Sequence, residues 1–120
     1  MENYNINLDV KYQPLELIDL PQIVKDCKEK WFNQTLTKVN DSVVRIGIVE
    51  GEFHWHKHDD DDEFFFVLEG KLIIELENGK IELLPNQGTT IPKGLLHRPV
   101  APIKTVMLMV ETIAIQPTGD

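Results

Sequence analysis

Apolar residues fall along the chain in short, punctuated bursts rather than in long helical stripes. SVVRIGIVEG, from Ser42 to Gly51, is rich in the β-branched residues that suit a pleated, half-buried surface. FFFVLEGKLIIELENGKIELL, from Phe64 to Leu84, reads as two or three more strands. Asn78-Gly79 inside it predicts a two-residue hairpin with positive φ at both turn positions. Pro85, Gly88, Pro92 and Gly94 mark later turns, and TVMLMVETIAI, from Thr105 to Ile115, closes the series with another apolar strand. Everything after Thr35 therefore reads as β-structure, and short strands at this spacing predict a small barrel or sandwich. Before it, residues 1–17 are irregular or edge-like. DLPQIVKDCKEKW predicts one short helix, with Asp19 as N-cap, Pro21 in the first turn, and Ile23, Val24, Cys27 and Trp31 at helical spacing.

Two runs break the alternation expected of a sheet with one wet face. Phe64 to Leu68 and Val106 to Val110 are apolar on both strand faces. Their second face needs a cover, supplied by the N-terminal segment and helix or by another subunit. A homodimer joined sheet to sheet is the expectation.

Composition narrows the function classes. The 120 residues suffice for one core, and 42% hydrophobic content is that of a folded domain. A net charge of −8 without a basic stripe argues against a nucleic-acid surface. No apolar run has bilayer length, and MENYNINLDV lacks the features of a secretory signal. Cys27 is the lone cysteine, so no disulfide can form within the chain and a reducing cytoplasm is expected.

The unusual chemistry is concentrated between Gly51 and Gly70. His54, His56 and His58 lie within five residues, followed by Asp59 to Asp62 and then Glu63. An exposed polar turn is the plain reading. The alternative starts from geometry: residues two apart on a strand point to one side, so adjacent imidazoles can share a cation roughly 2.0–2.1 Å away. A hairpin through the aspartates would return Glu63 beside His58. The turn shaped by Pro92 and Gly94 could deliver His97 to the same place. Three imidazoles and a carboxylate suit Fe, Mn, Ni, Co, Cu or Zn, and ligand type alone does not choose among them.

These residues resemble the two motifs of the cupin superfamily, in its small single-domain cupin-2 form. Gly51, His56-Lys57-His58, four residues, Glu63, six residues and Gly70 match the first motif; its spacer before His56 is a residue shorter than usual. Gly88 and Pro92-Lys93-Gly94-Leu95-Leu96-His97 match the second, without the asparagine that often follows it. The likeness runs from about Trp31 to the C-terminus. It implies an all-β fold, a double-stranded β-helix (antiparallel β-barrel or jelly roll) over 35–120, preceded by a 1–34 extension with one short helix. It also implies that His56, His58, Glu63 and His97 bind one divalent metal inside the barrel.

Around that site, His54, Arg45, Phe65 and Val67 are candidates for lining a substrate space, Phe65 and Val67 because they share the Glu63 face. Phe64 and Phe66 then pack outward. Trp55 points away from the histidines and is expected in the core. Asp62 is a candidate to hydrogen-bond a ligating imidazole. Arg98 reads as surface charge and Cys27 as a buried helix residue. No catalytic residue is assigned. Two function classes remain: a metal-dependent enzyme on a small molecule, with isomerase, decarboxylase or dioxygenase-like chemistry, or a non-catalytic module that binds or senses a small ligand. No basic cluster suits a sugar phosphate.

Overall fold

The β-branched bursts become strands because each can bury one face against a common interior. The computed structural model describes residues 4–119. In chain order it holds β1 (Asn5–Asn7), α1 (Leu20–Asp26), β2 (Trp31–Val39), β3 (Ser42–Glu52), β4 (Glu63–Glu69), β5 (Leu72–Leu76), β6 (Gly79–Leu83), β7 (Gly88–Ile91) and β8 (His97–Thr112). The hydrogen-bonded order is β1-β2-β3-β8-β4-β7, and the β5–β6 hairpin joins through β8. All pairings are antiparallel except β1 with β2, so the N-terminal edge departs from the expected pattern.

β8 organises the barrel. Its start pairs with β5, from Val100 opposite Ile73 to His97 opposite Leu76. Its later part lies between β3 and β4, with Met107 opposite both Gly47 and Val67. One long strand thereby bends from one side of the lumen to the other. Gly70 permits the matching corner after β4. Its φ is +88°, and a Cβ there would lie 2.5 Å from the Lys104 carbonyl oxygen, so only glycine fits.

The interior is filled by Trp31, Phe53, Phe65, Leu72, Ile74 and Met107 among others. A second cluster lies on the opposite face, where Leu36, Ile46, Ile48 and Val106 are covered by Tyr12, Ile18, Ile23 and Val24. The N-terminal segment and α1 thus cover part of the second sheet face. Fully burying one such side chain stabilises by roughly 1.5–3 kcal/mol. No α1 residue is fully buried, so the helix contributes less per residue than the lumen does.

Several local expectations change. α1 starts as predicted, with the Asp19 carboxylate accepting from the Gln22 amide at 3.3 Å, but it ends at Asp26. Trp31 opens β2 instead of closing the helix, because its ring belongs to the lumen beside Phe53. Cys27 follows α1 and is half-buried rather than enclosed. The β5–β6 hairpin forms, yet its turn is Glu77-Asn78, with Leu76 opposite Gly79 and no positive φ at Asn78 or Gly79. Cross-strand charge explains the one-residue slip. The observed register sets Glu75 opposite Lys80, whereas an Asn78-Gly79 turn would set Glu75 against Glu82.

Candidate metal centre

Backbone pairing brings the two motifs together. His56 and His97 face each other across an isolated bridge, each amide donating to the other's carbonyl at 2.9 Å. The Gly94 amide donates to the His58 carbonyl at 2.7 Å, docking the Pro92–Gly94 turn against the first motif. Gly94 has φ +82°, which glycine adopts without strain. Glu63 begins β4 opposite Ile91 and shares its buried face with Phe65 and Val67.

His56, His58, Glu63 and His97 are all buried, and one ligand atom from each lies within 4.8 Å of the others. Glu63 Oε1 is 3.4 Å from His58 Nε2 and 3.5 Å from His97 Nε2. Tautomers follow from the outer contacts. His56 Nδ1 donates to the His54 carbonyl at 3.0 Å, and His97 Nδ1 to the Leu95 carbonyl at 2.8 Å. A carbonyl only accepts, so each Nδ1 carries the proton and each Nε2 keeps its lone pair.

The charge state suits the same end. Burial pushes His56 down to about 4, against the raising effect of its bond to the His54 carbonyl. Burial alone would raise Glu63, but the His58 and His97 imidazoles set close against it outweigh burial and hold this carboxyl well below the usual range. His58 Nδ1 and Nε2, His97 Nε2 and Glu63 Oε1 are buried without a hydrogen-bond partner. Such orphaned atoms in a well-packed interior call for an explanation, and a cation supplies one. Ligands roughly 2.0–2.2 Å from a common ion are at most about 4.4 Å apart, so the cluster needs to close by only a few tenths of an ångström. The donor set and its vacant lone pairs fit a divalent metal.

A small cavity, with room for about one water molecule, lies beside the cluster; Trp31, Asn33, Phe53, Phe65, Met107 and Met109 line it with His56 and Glu63. Phe65 is therefore on the wall, as placed from its period. Val67 is fully buried and does not line this space. Arg45 is also fully buried, on the inner face of β3, where its Nη1 lies 3.0 Å from Glu111 Oε1. This is an ion pair without the directionality of a hydrogen bond, since Arg45 Nη1 and Nε lack such a partner. Burial, then the neighbouring Glu63 charge, pushes Glu111 up to about 9 despite Arg45. His54 sits outside the cavity wall, stacked on Phe53, its Nε2 2.7 Å from the Thr118 carbonyl.

Three sequence expectations need correction. Trp55 does point away from the histidines, but it is 41% exposed, with the Arg98 guanidinium 5.4 Å from its ring centre. Arg98 is half-buried and bonds Glu75 Oε1 at 2.6 Å, so it is not a free surface charge. Asp62 accepts from the Lys93 amide at 2.9 Å and holds the second-motif turn instead of an imidazole. Sequence reasoning also passed over Glu111 and Asn33. Period two from Met107 and Met109 marks Glu111 as an inward acid, whereas nothing local marks Asn33.

Comparison with known proteins agrees with this geometry. The cupin-domain family model matches residues 43–113. The chain is 42% identical to the uncharacterized protein YdbB of Bacillus subtilis, over 78% of this chain and 83% of that one. A cupin-2 domain protein from Shewanella frigidimarina superposes with a TM-score of 0.76 and 32% identity, covering 80% of this chain and 94% of its own. A cupin superfamily protein from Desulfitobacterium hafniense, at 16% identity and TM-score 0.70, covers 87% and 97% and shares the fold. The chain belongs to the cupin family. It is an all-β cupin of the small cupin-2 type, with a buried cluster that fits a metal site.

Proposed function

We propose that His56, His58, Glu63 and His97 hold one divalent cation, and that the protein is a metal-dependent enzyme acting on a small organic molecule. The observation that carries this is the convergence of four buried ligand atoms beside an apolar cavity. A bound cation would supply Lewis acidity, polarising a carbonyl or enolate oxygen, the chemistry of isomerases and, with iron, of dioxygenases. The chain's own residues set the conditions. The His54 and Leu95 carbonyls fix the tautomers of His56 and His97. Trp31, Phe53, Phe65 and Met107 exclude water from the reacting space. Glu63 contributes the negative charge.

The test is elemental analysis of protein purified without chelators, then product and oxygen assays with small diols, enols and 1,3-diketones. Stoichiometric metal with turnover is the expected result; absence of metal overturns the reading. One observation favours a non-catalytic binding or sensing module instead. The C-terminal residues cross the cavity mouth, with Pro117 on its wall and the Gly119 backbone so close that a Cβ there would lie 2.7 Å from His56 Cβ. A mouth closed in this way suits retention. An unmodified small molecule kept through purification, with no turnover, would favour that module.

A homodimer is part of the proposal. Phe64 and Phe66 stack at 6.3 Å on the outer face of β4, and Val110 opposite Phe64 is 37% exposed. A second copy would cover this patch, and light scattering checks it. The free thiol of Cys27 supports a reducing, cytoplasmic setting.

A further inference from the structure

We propose that the segment after β8, residues 113–119, is a gate over the histidine–glutamate cluster, which must lift before any molecule larger than water reaches the ligand atoms. This rests on the metal reading above. The cavity beside the cluster has room for about one water. Entry of anything larger therefore requires part of the wall to move. Trp31 and Asn33 stand on β2, Glu63 and Phe65 on β4, and Met107 and Met109 on β8, so moving any of them breaks a ladder. Phe53 and His56 are tied to β8 as well, their amides donating to the Pro99 and His97 carbonyls at 3.1 and 2.9 Å. Among the described residues, Pro117 is the one on this wall without a backbone tie to the sheet.

The two ends of its segment are held differently. Ile115 is 2% exposed, and its amide donates to the Thr112 carbonyl at 3.2 Å, which anchors the near end. Beyond it Gln116 and Thr118 are exposed, and the Gly119 amide closes a local turn on the Gln116 carbonyl at 2.9 Å. That bond moves with the segment. The far end rests on the first motif. His54 Nε2 donates to the Thr118 carbonyl at 2.7 Å. Gly119, with φ +104°, lies so flat on His56 that a Cβ would sit 2.7 Å from His56 Cβ. Segments with few buried contacts open at low free energy while the ladders beside them stay closed. Lifting residues 116–119 takes Pro117 off the wall and uncovers the His56 side of the cluster, with every strand pair intact.

The test is the rate at which outside ligands reach a metal in the site. The 120-residue chain is loaded with cobalt(II) and mixed by stopped flow with imidazole or acetohydroxamate, the cobalt visible spectrum reporting binding. The rate should level off as either probe is raised, at one plateau common to both, because that plateau is the opening rate. His54→Ala loses the bond to Thr118, and Gly119→Ala prevents the segment from seating. Each should raise the plateau about two- to tenfold, the equivalent of one net hydrogen bond, with cobalt content unchanged. A changed starting spectrum in Gly119→Ala means that His56 has moved, and His54→Ala then decides. Rates that rise without limit, plateaus that differ between probes, no binding of either probe, or a wild-type plateau in the deciding variants overturns the proposal. If both variants fail to fold, the common wild-type plateau decides. Failure to take up cobalt or any other metal sinks the metal reading and this inference together; uptake with ungated rates sinks this inference alone.

Discussion

Two buried polar groups share one lumen and are built on opposite principles. The histidine–glutamate cluster turns its lone pairs inward and leaves them without protein partners. Arg45 and Glu111 meet each other at 3.0 Å, so the buried cation has a carboxyl of its own chain beside it, one that burial keeps protonated up to about pH 9. Burying polar groups is costly unless they are compensated, and in the second group each side chain at least faces a complementary one from within the chain. The first therefore waits for something from outside. Convergence of four ligand atoms on one point, more than the presence of histidines, is what distinguishes a binding site from a buried pair.

Experiments can break this comparison, starting with the cluster. His97→Ala should cut metal content from about one per chain to below about a tenth, since each structural ligand removed leaves the ion incompletely held. Circular dichroism should still report a β fold. Retained stoichiometric metal would mean the ligand set is wrongly assigned.

The Arg45–Glu111 pair predicts a stability effect instead. Arg45→Met leaves Glu111 buried without its partner and should cost about 1–3 kcal/mol in urea unfolding at neutral pH, rising toward about 3–5 kcal/mol above pH 9, where the carboxyl ionises. Adding Glu111→Leu should restore most of that loss. A single variant as stable as wild type would show that the pair is not electrostatically coupled.

Acidity separates the groups further. His56 is lowered to about 4 from its ordinary 6.5, so the unfolded chain takes the proton first. Its contribution to metal-free protein is full above pH 6.5 and is lost as pH falls to 4, roughly 3 kcal/mol in all. Glu111 runs the other way: raised from 4.5 to about 9, it contributes below pH 4.5 and that contribution is lost as pH rises to 9. In a thermal scan, His56→Asn should flatten the acid limb. An unchanged acid limb would contradict the burial argument.

The smallest effect belongs to Asp62. Asp62→Ala removes one exposed bond to the Lys93 amide and should cost below about 1 kcal/mol, with metal content unchanged. A fall in metal content would return Asp62 to the role of orienting an imidazole.

Much of this was legible in the chain. Period two placed Glu63, Phe65 and Val67 on one buried face and sent Phe64 and Phe66 outward, because a strand allows no other alternation. The motif spacing marked His56, His58, Glu63 and His97, which the fold brings together. Boundaries were less legible. Trp31 continues a helical period on paper but joins the lumen, since packing against Phe53 outweighs weak local preference. The Asn78-Gly79 signal lost to the Glu75–Lys80 pairing one residue away.

The sequence by itself therefore determined most strand identities and inward faces, which follow from local alternation, and its motifs marked the four side chains that the fold brings together. Only the tertiary structure decided that Arg45 meets Glu111 and that Asn33 joins the histidine cavity. Those contacts depend on how distant strands are staggered around the barrel, and no local pattern carries that information.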